Sequence, residues 1–540
     1  MRLPRIMIRV TELRLPLDHP PEALQEAVCA RLAIDPDRLR GVTIARRGYD
    51  ARKRGAIVLV YSLDCDVVDE AGVLAAHAGN AHVGPTPDTG YVPPHAGPWP
   101  QETPRPVVVG AGPCGIMAAL VLAQMGLRPI VIERGKPVRP RTVDTFALWR
   151  RSELTPESNV QFGEGGAGTF SDGKLWSGVS DPRRLGRKVL EEFVRAGAPE
   201  EILFVSKPHI GTFRLVQMVE HIRAQIERLG GEYRFETRVE RLLIENGRLH
   251  GVALSDGSVP EGAPVVLAVG HSARDTFAML REAGVAMQAK PFSVGVRIEH
   301  PQSVIDAARF GPQAGHHLLG AADYKLVHHA SNGRGVYSFC MCPGGTVVAA
   351  TSEVGQVVTN GMSQYSRAER NANAGIVVEV MPERDFPEDV LGGVALQRRL
   401  ERAAFVAGGS DYRAPAQRVG DFLAGVASTH LGAVVPSYKP GVTPTDLATC
   451  LPDFAVEAMR EALPRFARKI DGFAMEDAVM TGVETRTSSP IRLPRGRDGQ
   501  SLNVAGLFPA GEGAGYAGGI LSAGIDGIRA AEAVAAALAG

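Results

Sequence analysis

The strongest constraint on this chain is a glycine-rich turn between a short apolar strand and a helical segment. Pro106-Val-Val-Val109 has the pattern of a buried strand and runs directly into Gly110-Ala-Gly-Pro-Cys-Gly115. A helical pattern follows from Ile116 to Met125, and Pro129-Ile-Val-Ile132 is a second apolar strand that ends at Glu133. This order of strand, G-x-G-x-x-G turn, helix, strand and acid predicts a Rossmann-like site for a dinucleotide.

Each residue of this motif has a physical role. Gly110 permits the tight turn, Gly112 lets the backbone approach a pyrophosphate, and Gly115 lets the helix pack closely on the strand. Pro113 suits the first helical position, where an N–H group has no partner within the helix. Glu133 follows Gly110 by 23 positions, close to the distance expected for an acid that accepts hydrogen bonds from ribose hydroxyls.

The C-terminal part adds a feature that favours FAD over NAD. Asn503 to Gly513 is predicted to be a strand followed by a turn that carries Glu512, and a glycine-rich helix begins near Gly519. The acid would hold ribityl hydroxyls, and the helix dipole would stabilise negative charge in the reduced flavin ring. An NAD dehydrogenase has no need for such a returning strand.

Several further stretches carry a resemblance to known proteins. They are Gly163–Leu175, Gly295–Pro301, Ser338–Gly345, Val358–Met362, Val483–Pro490 and Gly511–Tyr516. With the first motif, they resemble the FAD-binding, glutathione-reductase-like superfamily, and within it a group of poorly characterised bacterial FAD-dependent dehydrogenases. The resemblance covers about residues 100 to 540. It implies an FAD-dependent oxidoreductase that transfers a hydride or electrons between a small-molecule substrate and bound FAD.

The motifs and the resemblance together predict a set of FAD-binding residues. By similarity, the loop from Gly163 to Lys174 would cross the pyrophosphate and the flavin, although a flexible surface loop is the alternative. Val239 would offer backbone contacts to adenine. The predicted residues are Gly110, Gly112, Pro113, Gly115, Glu133, Arg134, Gly165, Gly166, Thr169, Lys174, Val239, Gly270, Gly511, Glu512, Gly519 and Ile520.

A second dinucleotide-binding fold is not predicted. Gly163-Glu-Gly-Gly-Ala-Gly168 repeats the glycine spacing but is not flanked by a strand and a helix. NAD(P)H therefore remains possible only as a transient reductant without a fold of its own.

The sequence predicts an α/β fold, α+β overall, made of a Rossmann-like FAD-binding domain, an inserted β-rich substrate domain and a small α+β N-terminal domain. In the N-terminal part, a strand, a helix and two strands are predicted at Arg5–Leu15, Pro21–Leu32, Gly41–Ala45 and Ala56–Leu63. A three-stranded meander is predicted at Glu232–Thr237, Val239–Glu245 and Leu249–Ser255. The predicted boundaries are 1–75 for the basic N-terminal domain, 76–104 for a Pro/Gly-rich linker or wrapping arm, 105–289 for the first FAD-binding part, 290–475 for the insert and 476–540 for the returning FAD-binding part.

The candidates for chemistry are an Arg-Thr pair and two cysteines. Arg486 and Thr487 are predicted to line the reacting face of the flavin, where Arg486 would hold an anionic substrate or stabilise reduced flavin; a surface loop is the alternative. Cys340 and Cys342 would share one face of a strand, as redox partners or, the favoured interpretation, as packing cysteines. The chain has no Cys-x-x-Cys pair and no metal-ligand spacing, so no metal site is predicted.

Charge and hydropathy limit the remaining classes of function. The 59 basic and 59 acidic residues cancel, which argues against binding of nucleic acid through net charge. The basic stretch Arg38–Arg54 is most simply a solvated face; as an alternative function, it would dock the flavoprotein to RNA or to a protein complex. Arginines interrupt Met1–Val10, and no stretch has the roughly 18 apolar residues of a membrane span. A cytoplasmic protein without a membrane segment is expected.

Overall fold

The computed structural model describes residues 7–260 and 264–540. The three larger of the five sheets in these residues organise the fold: a four-stranded sheet at the N-terminus, a five-stranded parallel sheet and an eight-stranded, mainly antiparallel sheet. Residues 1–6, which include the start of the first predicted strand and part of the arginine-interrupted segment Met1–Val10, lie outside the described residues. Within the two described ranges, no helix is both long and apolar enough to cross a membrane.

The N-terminal region confirms the predicted order of strand, helix, strand and strand. Its elements are β1 (Ile8–Pro16), α1 (Ala23–Leu32), β2 (Leu39–Asp50), β3 (Val58–Val67), α2 (Glu70–Ala76) and β4 (Val83–Pro85). The sheet order is β2-β3-β1-β4. Alternate residues of β3, such as Leu59, Tyr61 and Leu63, are buried, so one face of the sheet packs on the core. The strand β4 lies in the segment predicted as a linker. It pairs with β1 and forms an edge of the N-terminal sheet.

The rest of that segment is a wrapping arm. The Trp99 indole Nε1 and the Gly97 amide both donate to the carbonyl oxygen of Met125, at 2.7 and 3.2 Å. The Tyr91 hydroxyl donates to a carboxylate oxygen of Glu532 at 3.1 Å. These contacts hold the proline-rich segment along the surface of the parallel-sheet region.

The N-terminal region also contacts two other parts of the protein. The Arg47 amide donates to the carbonyl oxygen of Phe204 at 2.7 Å, and the Ser206 amide donates back to Arg47 at 2.9 Å. The ring of Tyr49 meets the ring of Phe310 edge-on, with centroids 5.7 Å apart. Phe204 lies in the part of the chain between the N-terminal sheet and the insert, and Phe310 belongs to the insert. The N-terminal region therefore connects these two parts of the protein.

The next region supplies most of the parallel sheet and its covering helices. The predicted meander is wrong in one respect: its first strand pairs in parallel with the strand at Ile130–Ile132 rather than with its own successor. A left-handed residue, Glu236 with φ +52°, redirects the chain between the two. The elements are β5 (Val107–Val109), α3 (Pro113–Gln124), β6 (Ile130–Ile132), α4 (Val138–Arg151), α5 (Leu185–Arg195), α6 (Thr212–Arg228), β7 (Glu232–Arg234), β8 (Val239–Glu245), β9 (Arg248–Leu254), β10 (Val265–Leu267) and α7 (Arg274–Glu282).

The insert is built on the eight-stranded sheet, whose central strands β12 and β16 are almost wholly buried. Seven of its strands follow the order β13-β14-β16-β12-β19-β17-β18, and β15 pairs with β14. Just before the insert, β11 (Gln288–Ala289) pairs with residues 491–492 of the returning part. The elements of the insert are β12 (Phe292–Pro301), α8 (Gln302–Phe310), β13 (Val327–His329), β14 (Gly335–Ala349), β15 (Thr359–Ser363), β16 (Asn371–Val380), α9 (Pro382–Asp385), α10 (Gly392–Gly408), β17 (Ala414–Arg418), α11 (Val419–Ala424), β18 (Val442–Pro444), α12 (Asp453–Ala467) and β19 (Val479–Glu484).

The predicted end of the insert at residue 475 is wrong, as the pairing of β19 shows. The sequence places it in the returning part at 476–540, yet it pairs with β12 and β17 of the eight-stranded sheet. The insert's sheet therefore extends beyond residue 475.

The chain then returns to the parallel sheet, as predicted. The returning elements are β20 (Ile491–Arg492), β21 (Leu507–Pro509) and α13 (Ile520–Ala539). The parallel sheet has the order β21-β10-β5-β6-β7, with Val265 of β10 opposite both Leu507 and Val107. This confirms a Rossmann-like domain combined with a β-rich region. The carboxyl ends of these strands meet at one edge of the sheet, where ligands bind in open α/β folds.

Candidate functional site

The turn between β5 and α3 leaves its central glycine open to a ligand. A Cβ on Gly115 would lie 1.8 Å from the Gly110 carbonyl oxygen, and one on Gly110 would lie 2.4 Å from the Ala268 carbonyl oxygen. A Cβ on Gly112 would meet only the Cα of Gly166, at 3.7 Å. Packing therefore requires glycine at the first and third positions, while the second borders open space where a pyrophosphate can approach the N-terminus of α3.

Glu133, at the end of β6, joins three parts of the site. Its carboxylate accepts hydrogen bonds from the amides of Ala111 (2.9 Å), Gly135 (2.8 Å) and Gly163 (3.0 Å). A carboxylate has about four acceptor positions, which leaves room for a ribose hydroxyl. The acid thus fixes the backbone around the site in addition to its predicted role toward the ribose.

Arg141 is a residue of the site that the sequence analysis missed. It lies on α4 and is fully buried. Its guanidinium donates to four carbonyl oxygens, at 2.6 to 2.9 Å, and to the Thr169 hydroxyl at 3.3 Å; the carbonyls belong to Asn159, Val160, Glu164 and Gly166. Burial lowers the pKa of Arg141 to about 10, so the group remains a cation at neutral pH. A signal existed, because Arg141 lies three residues after Val138 and seven before Leu148, on the buried stripe of the helix.

These contacts hold the glycine-rich loop against the turn after β5. Gly163, Gly165 and Gly166 have φ values of +118°, +89° and +61°, which side-chain-bearing residues rarely adopt. The Gly165 amide donates to the Ala111 carbonyl oxygen at 2.8 Å. The loop is therefore held at both ends and along its length, unlike the flexible surface loop that was the alternative.

One cavity of about 810 Å³ gathers most of the predicted site residues, and its volume suits a large cofactor. The predicted residues that do not line it are Gly115, Gly165, Thr169 and Gly511. Those that line it are Gly110, Gly112, Pro113, Glu133, Arg134, Gly166, Lys174, Val239, Gly270, Arg486, Thr487, Glu512, Gly519 and Ile520.

Arg134 and Lys174 are held in place by other residues of the cavity region. Arg134 pairs with Glu157 and Asp275, each at 2.8 Å, and its guanidinium lies over the Phe162 ring at 4.1 Å. The Lys174 ammonium donates to the Met341 carbonyl oxygen of the insert. The cavity therefore runs from the parallel sheet to the insert.

The returning segment, residues 476–540, closes the cavity beside Glu512. A Cβ on Gly513 would lie 2.4 Å from the Gly270 carbonyl oxygen, so these two loops are in direct contact. Asp526 of α13 accepts from the Gly511 amide at 2.7 Å and pairs with Arg495 at 2.5 Å. Burial raises the pKa of the neighbouring Glu512 to about 7, and nearby Lys290 offsets part of that effect.

The two predicted catalytic side chains already have partners. Arg486 pairs with Glu401 at 3.0 Å and donates to the Ser352 hydroxyl at 2.7 Å. Burial alone would raise the pKa of Glu401, but Arg274 and Arg486 outweigh it and lower that pKa to about 2. The Thr487 hydroxyl accepts from the Ser293 amide at 3.1 Å and donates to its carbonyl oxygen at 3.0 Å.

His271 lines the cavity and is another residue that the sequence analysis missed. It follows Gly270 directly, and its Nδ1 lies 2.9 Å from the Ser272 hydroxyl. Burial, with the charges of Arg486 and Arg274, lowers the pKa of His271 to about 3. The imidazole is therefore neutral near pH 7, with one nitrogen that donates and one that accepts.

The glycine turn yields a paired prediction. We expect Gly112→Ala to change stability by no more than about 0.5 kcal/mol, because the new methyl group has space. It should nevertheless weaken FAD binding at least about tenfold, roughly 1.4 kcal/mol, because the methyl group occupies the approach to the pyrophosphate. Gly115→Ala should instead destabilise the fold by about 3 kcal/mol. Denaturant unfolding and FAD titration measure both effects; wild-type FAD affinity in Gly112→Ala would contradict the assignment.

Glu512 yields a prediction about pH. Its folded pKa lies above its unfolded value of about 4.3, so the proton stabilises the folded state, and this stability is lost as pH rises through about 7. We expect the melting temperature of flavin-free wild-type protein to fall more between pH 5 and pH 8 than that of Glu512→Gln. Glu457→Gln, on an exposed face of α12, is the matched control. Equal pH dependence in all three proteins would rule out a buried, protonated Glu512.

Comparison with known protein families assigns the cofactor. A family model described as "FAD binding domain" matches residues 105–142, which contain the glycine turn and Glu133. A model described as "FAD-dependent protein, C-terminal domain-like" matches residues 291–487, and a domain of unknown function matches residues 7–66. The second match ends just after β19, in agreement with the sheet pairing. FAD is therefore the cofactor of this protein.

Relatives differ greatly in how much of the chain they cover. Protein FixC of Escherichia coli K12 is 26% identical over 215 residues, 37% of this chain and 44% of that one. Among solved structures, a triple mutant of the flavin-dependent brominase Bmp2 covers 81% of each chain at 13% identity, with a TM-score of 0.37. L-proline dehydrogenase from P. horikoshii covers 80% of this chain and 93% of its own at 14% identity, with a TM-score of 0.34. These distant likenesses do not identify a reaction.

One relative matches almost the whole chain. It is an uncharacterized protein of Clostridium beijerinckii, 45% identical over 527 residues, which are 97% of this chain and 98% of that protein. The present chain belongs to the same family as this Clostridium beijerinckii protein.

Proposed function

We propose that the protein is an FAD-dependent oxidoreductase, of the dehydrogenase type, that moves a hydride or an electron pair between a small molecule and its FAD. The proposal includes its place in the glutathione-reductase-like superfamily. The observation that carries it is the continuity of the cavity, which extends from Gly112 at the parallel sheet to Tyr337 and Cys340 on β14 of the insert. A cofactor anchored at the glycine turn would have its far end beside the insert, where a substrate can meet it.

The residues of the chain fit FAD in several respects. The free amides at the N-terminus of α3 and the open face of Gly112 suit a pyrophosphate, and Glu133 retains acceptor capacity for a ribose hydroxyl. At the other end, Gly519 caps α13, which begins at Ile520, and both residues line the cavity, so the helix directs its N-terminal dipole toward it. Bound FAD supplies the capacity to accept and donate two electrons.

The chain's own residues would orient the substrate and control protons. His271, neutral near pH 7, can accept or donate a hydrogen bond at the cavity wall. Glu512, with a pKa of about 7, can hold or release a proton near neutrality. Tyr337, Ser338 and Asn360 of the insert are polar residues that line the same cavity, which favours a polar small molecule.

Docking to RNA or to a protein complex through the basic N-terminal stretch, the alternative function, is not supported. Arg52 pairs with Asp50 at 2.5 Å, and Arg40 lies 3.8 Å from Asp66. Arg47 lies over the Phe204 ring, 5.5 Å from its centroid. Positive charge in this stretch is therefore partly balanced by neighbouring acids, and part of its surface is occupied by contacts within the protein.

An anaerobic reduction experiment tests the proposal. The purified protein is expected to be yellow and to lose its flavin absorbance with NADH, NADPH or one member of a panel of polar metabolites, and to recover it when an oxidant is added. A protein that is colourless and takes up no FAD would contradict the cofactor assignment. Bound flavin that no donor reduces, although dithionite does, would contradict the dehydrogenase reaction alone.

A further inference from the structure

The rim of the cavity lies where the parallel-sheet region meets the insert. The Lys174 ammonium donates to the Met341 carbonyl oxygen of β14, and the Lys207 ammonium pairs with Asp323 of the insert at 2.7 Å. Trp176 follows Lys174 by two positions and lines the cavity. These contacts hold the segment around Trp176 against the insert, at the insert's end of the cavity.

Trp176 differs from the other two tryptophans of the chain. The indole Nε1 groups of Trp99 and Trp149 donate to backbone carbonyl oxygens at 2.7 and 2.8 Å. Trp176 is 45% exposed, and within residues 7–260 and 264–540 its indole N–H has no acceptor and its ring has no aromatic or cationic partner. A large aromatic surface is therefore left open at the rim, where a ligand can cover it.

The insert places two more rings and a cation at this rim. The Ser338 amide donates to the Leu326 carbonyl oxygen at 2.9 Å, which continues the antiparallel pairing of β13 with β14. By this register, Lys325 and Phe339 are neighbours across the two strands and lie on one face. Both line the cavity, as does Tyr337. The rim therefore combines aromatic surface from two parts of the protein with one ammonium group.

The ammonium group of Lys325 has no acid to neutralise it among the described residues. Asp323 is paired with Lys207 at 2.7 Å, and Asp172, the other acid that lines this part of the cavity, is paired with Arg367 at 2.5 Å. Lys325 is exposed, so its charge faces the entrance. Its attraction for the carboxylate of a ligand is therefore not compensated by a neighbour.

We propose that the rim formed by Trp176, Lys325, Tyr337 and Phe339 binds a substrate that combines a flat aromatic ring with a carboxylate. Aromatic side chains pack on a planar ring in offset or edge-on arrangements, and an ammonium group forms charge-assisted hydrogen bonds with a carboxylate. The proposal rests on the proposed function, in which a substrate meets FAD beside the insert, and it names the substrate class. Such a molecule is polar at one end, in agreement with the polar residues of the same wall.

The test is binding of 2-naphthoate to the flavin-loaded protein, measured by titration calorimetry. The probe 2-naphthylmethanol lacks the charge and decahydro-2-naphthoate lacks the flat ring, so these two molecules separate the two contributions. We expect 2-naphthoate to bind at least about threefold more tightly than either of them, and its advantage over 2-naphthylmethanol to shrink as salt is added. Equal affinities for the three probes, or no binding of 2-naphthoate at millimolar concentration, would overturn the proposal.

Two variants with matched controls test the side chains. Trp176→Leu should weaken binding of 2-naphthoate at least about threefold, whereas Phe213→Leu, at an aromatic residue that is 57% exposed outside the cavity, should not. Lys325→Gln should weaken binding of 2-naphthoate about threefold and leave that of 2-naphthylmethanol unchanged. Lys53→Gln, at an exposed lysine of the N-terminal region, should change neither. Wild-type affinity for 2-naphthoate in both Trp176→Leu and Lys325→Gln would exclude this rim as the binding site.

Titration of the flavin-free protein with FAD separates substrate binding from cofactor binding. Trp176→Leu should retain the FAD affinity of the wild-type protein. An FAD affinity that falls by the same factor as the 2-naphthoate affinity would assign the indole to the cofactor and refute the proposal. Flavin-loaded protein that binds 2-naphthoate as expected, but whose flavin no donor reduces, would support this inference and contradict the hydride transfer alone.

Discussion

The cofactor cavity depends on the buried guanidinium of Arg141. A cation removed from water is costly unless its N–H groups find partners, and here four carbonyl oxygens and one hydroxyl supply them. All of these oxygens belong to residues 159–169, so the position of one helical side chain determines the path of the glycine-rich loop. That path in turn brings the Gly163 amide to Glu133 and the Gly165 amide to the turn after β5.

Glu133 extends this arrangement to the strands. Its carboxylate receives amides from the turn after β5, from its own turn and from the loop. The acid ties three backbone segments together, and in the proposed function its remaining acceptor capacity would serve a ribose hydroxyl. A fold that needs the acid for its own backbone maintains the cofactor site in the correct shape before the cofactor arrives.

The sequence predicted the parts of the fold and the site that depend on local backbone chemistry. The turn at Gly110–Gly115, the first N-terminal elements and the returning strand all follow from short-range patterns, because glycine positions, proline at a helix start and apolar runs act on neighbouring residues. The partners of β7 and β19 were not predictable, since each pairs with strands distant in sequence. Arg141 resembles any surface arginine until the buried stripe of α4 is considered. The sequence also did not predict the β-bulge at Cys340, where the register between β14 and β16 shifts and Cys340 has φ +40°. Cys340 and Cys342 were expected to share one face of a regular strand, and the alternation of residues gives no sign of an extra one.

The contacts of the N-terminal region have a mechanical consequence. This region is joined by backbone hydrogen bonds to the segment at Phe204 and by an aromatic contact to Phe310 of the insert, so it spans the two bodies that enclose the cavity. A hinge motion that separated those bodies would have to break one of these attachments. Entry of a substrate is therefore expected to rely on small local movements at the rim, where the half-exposed indole of Trp176 lies, while the enclosing bodies keep a fixed spacing.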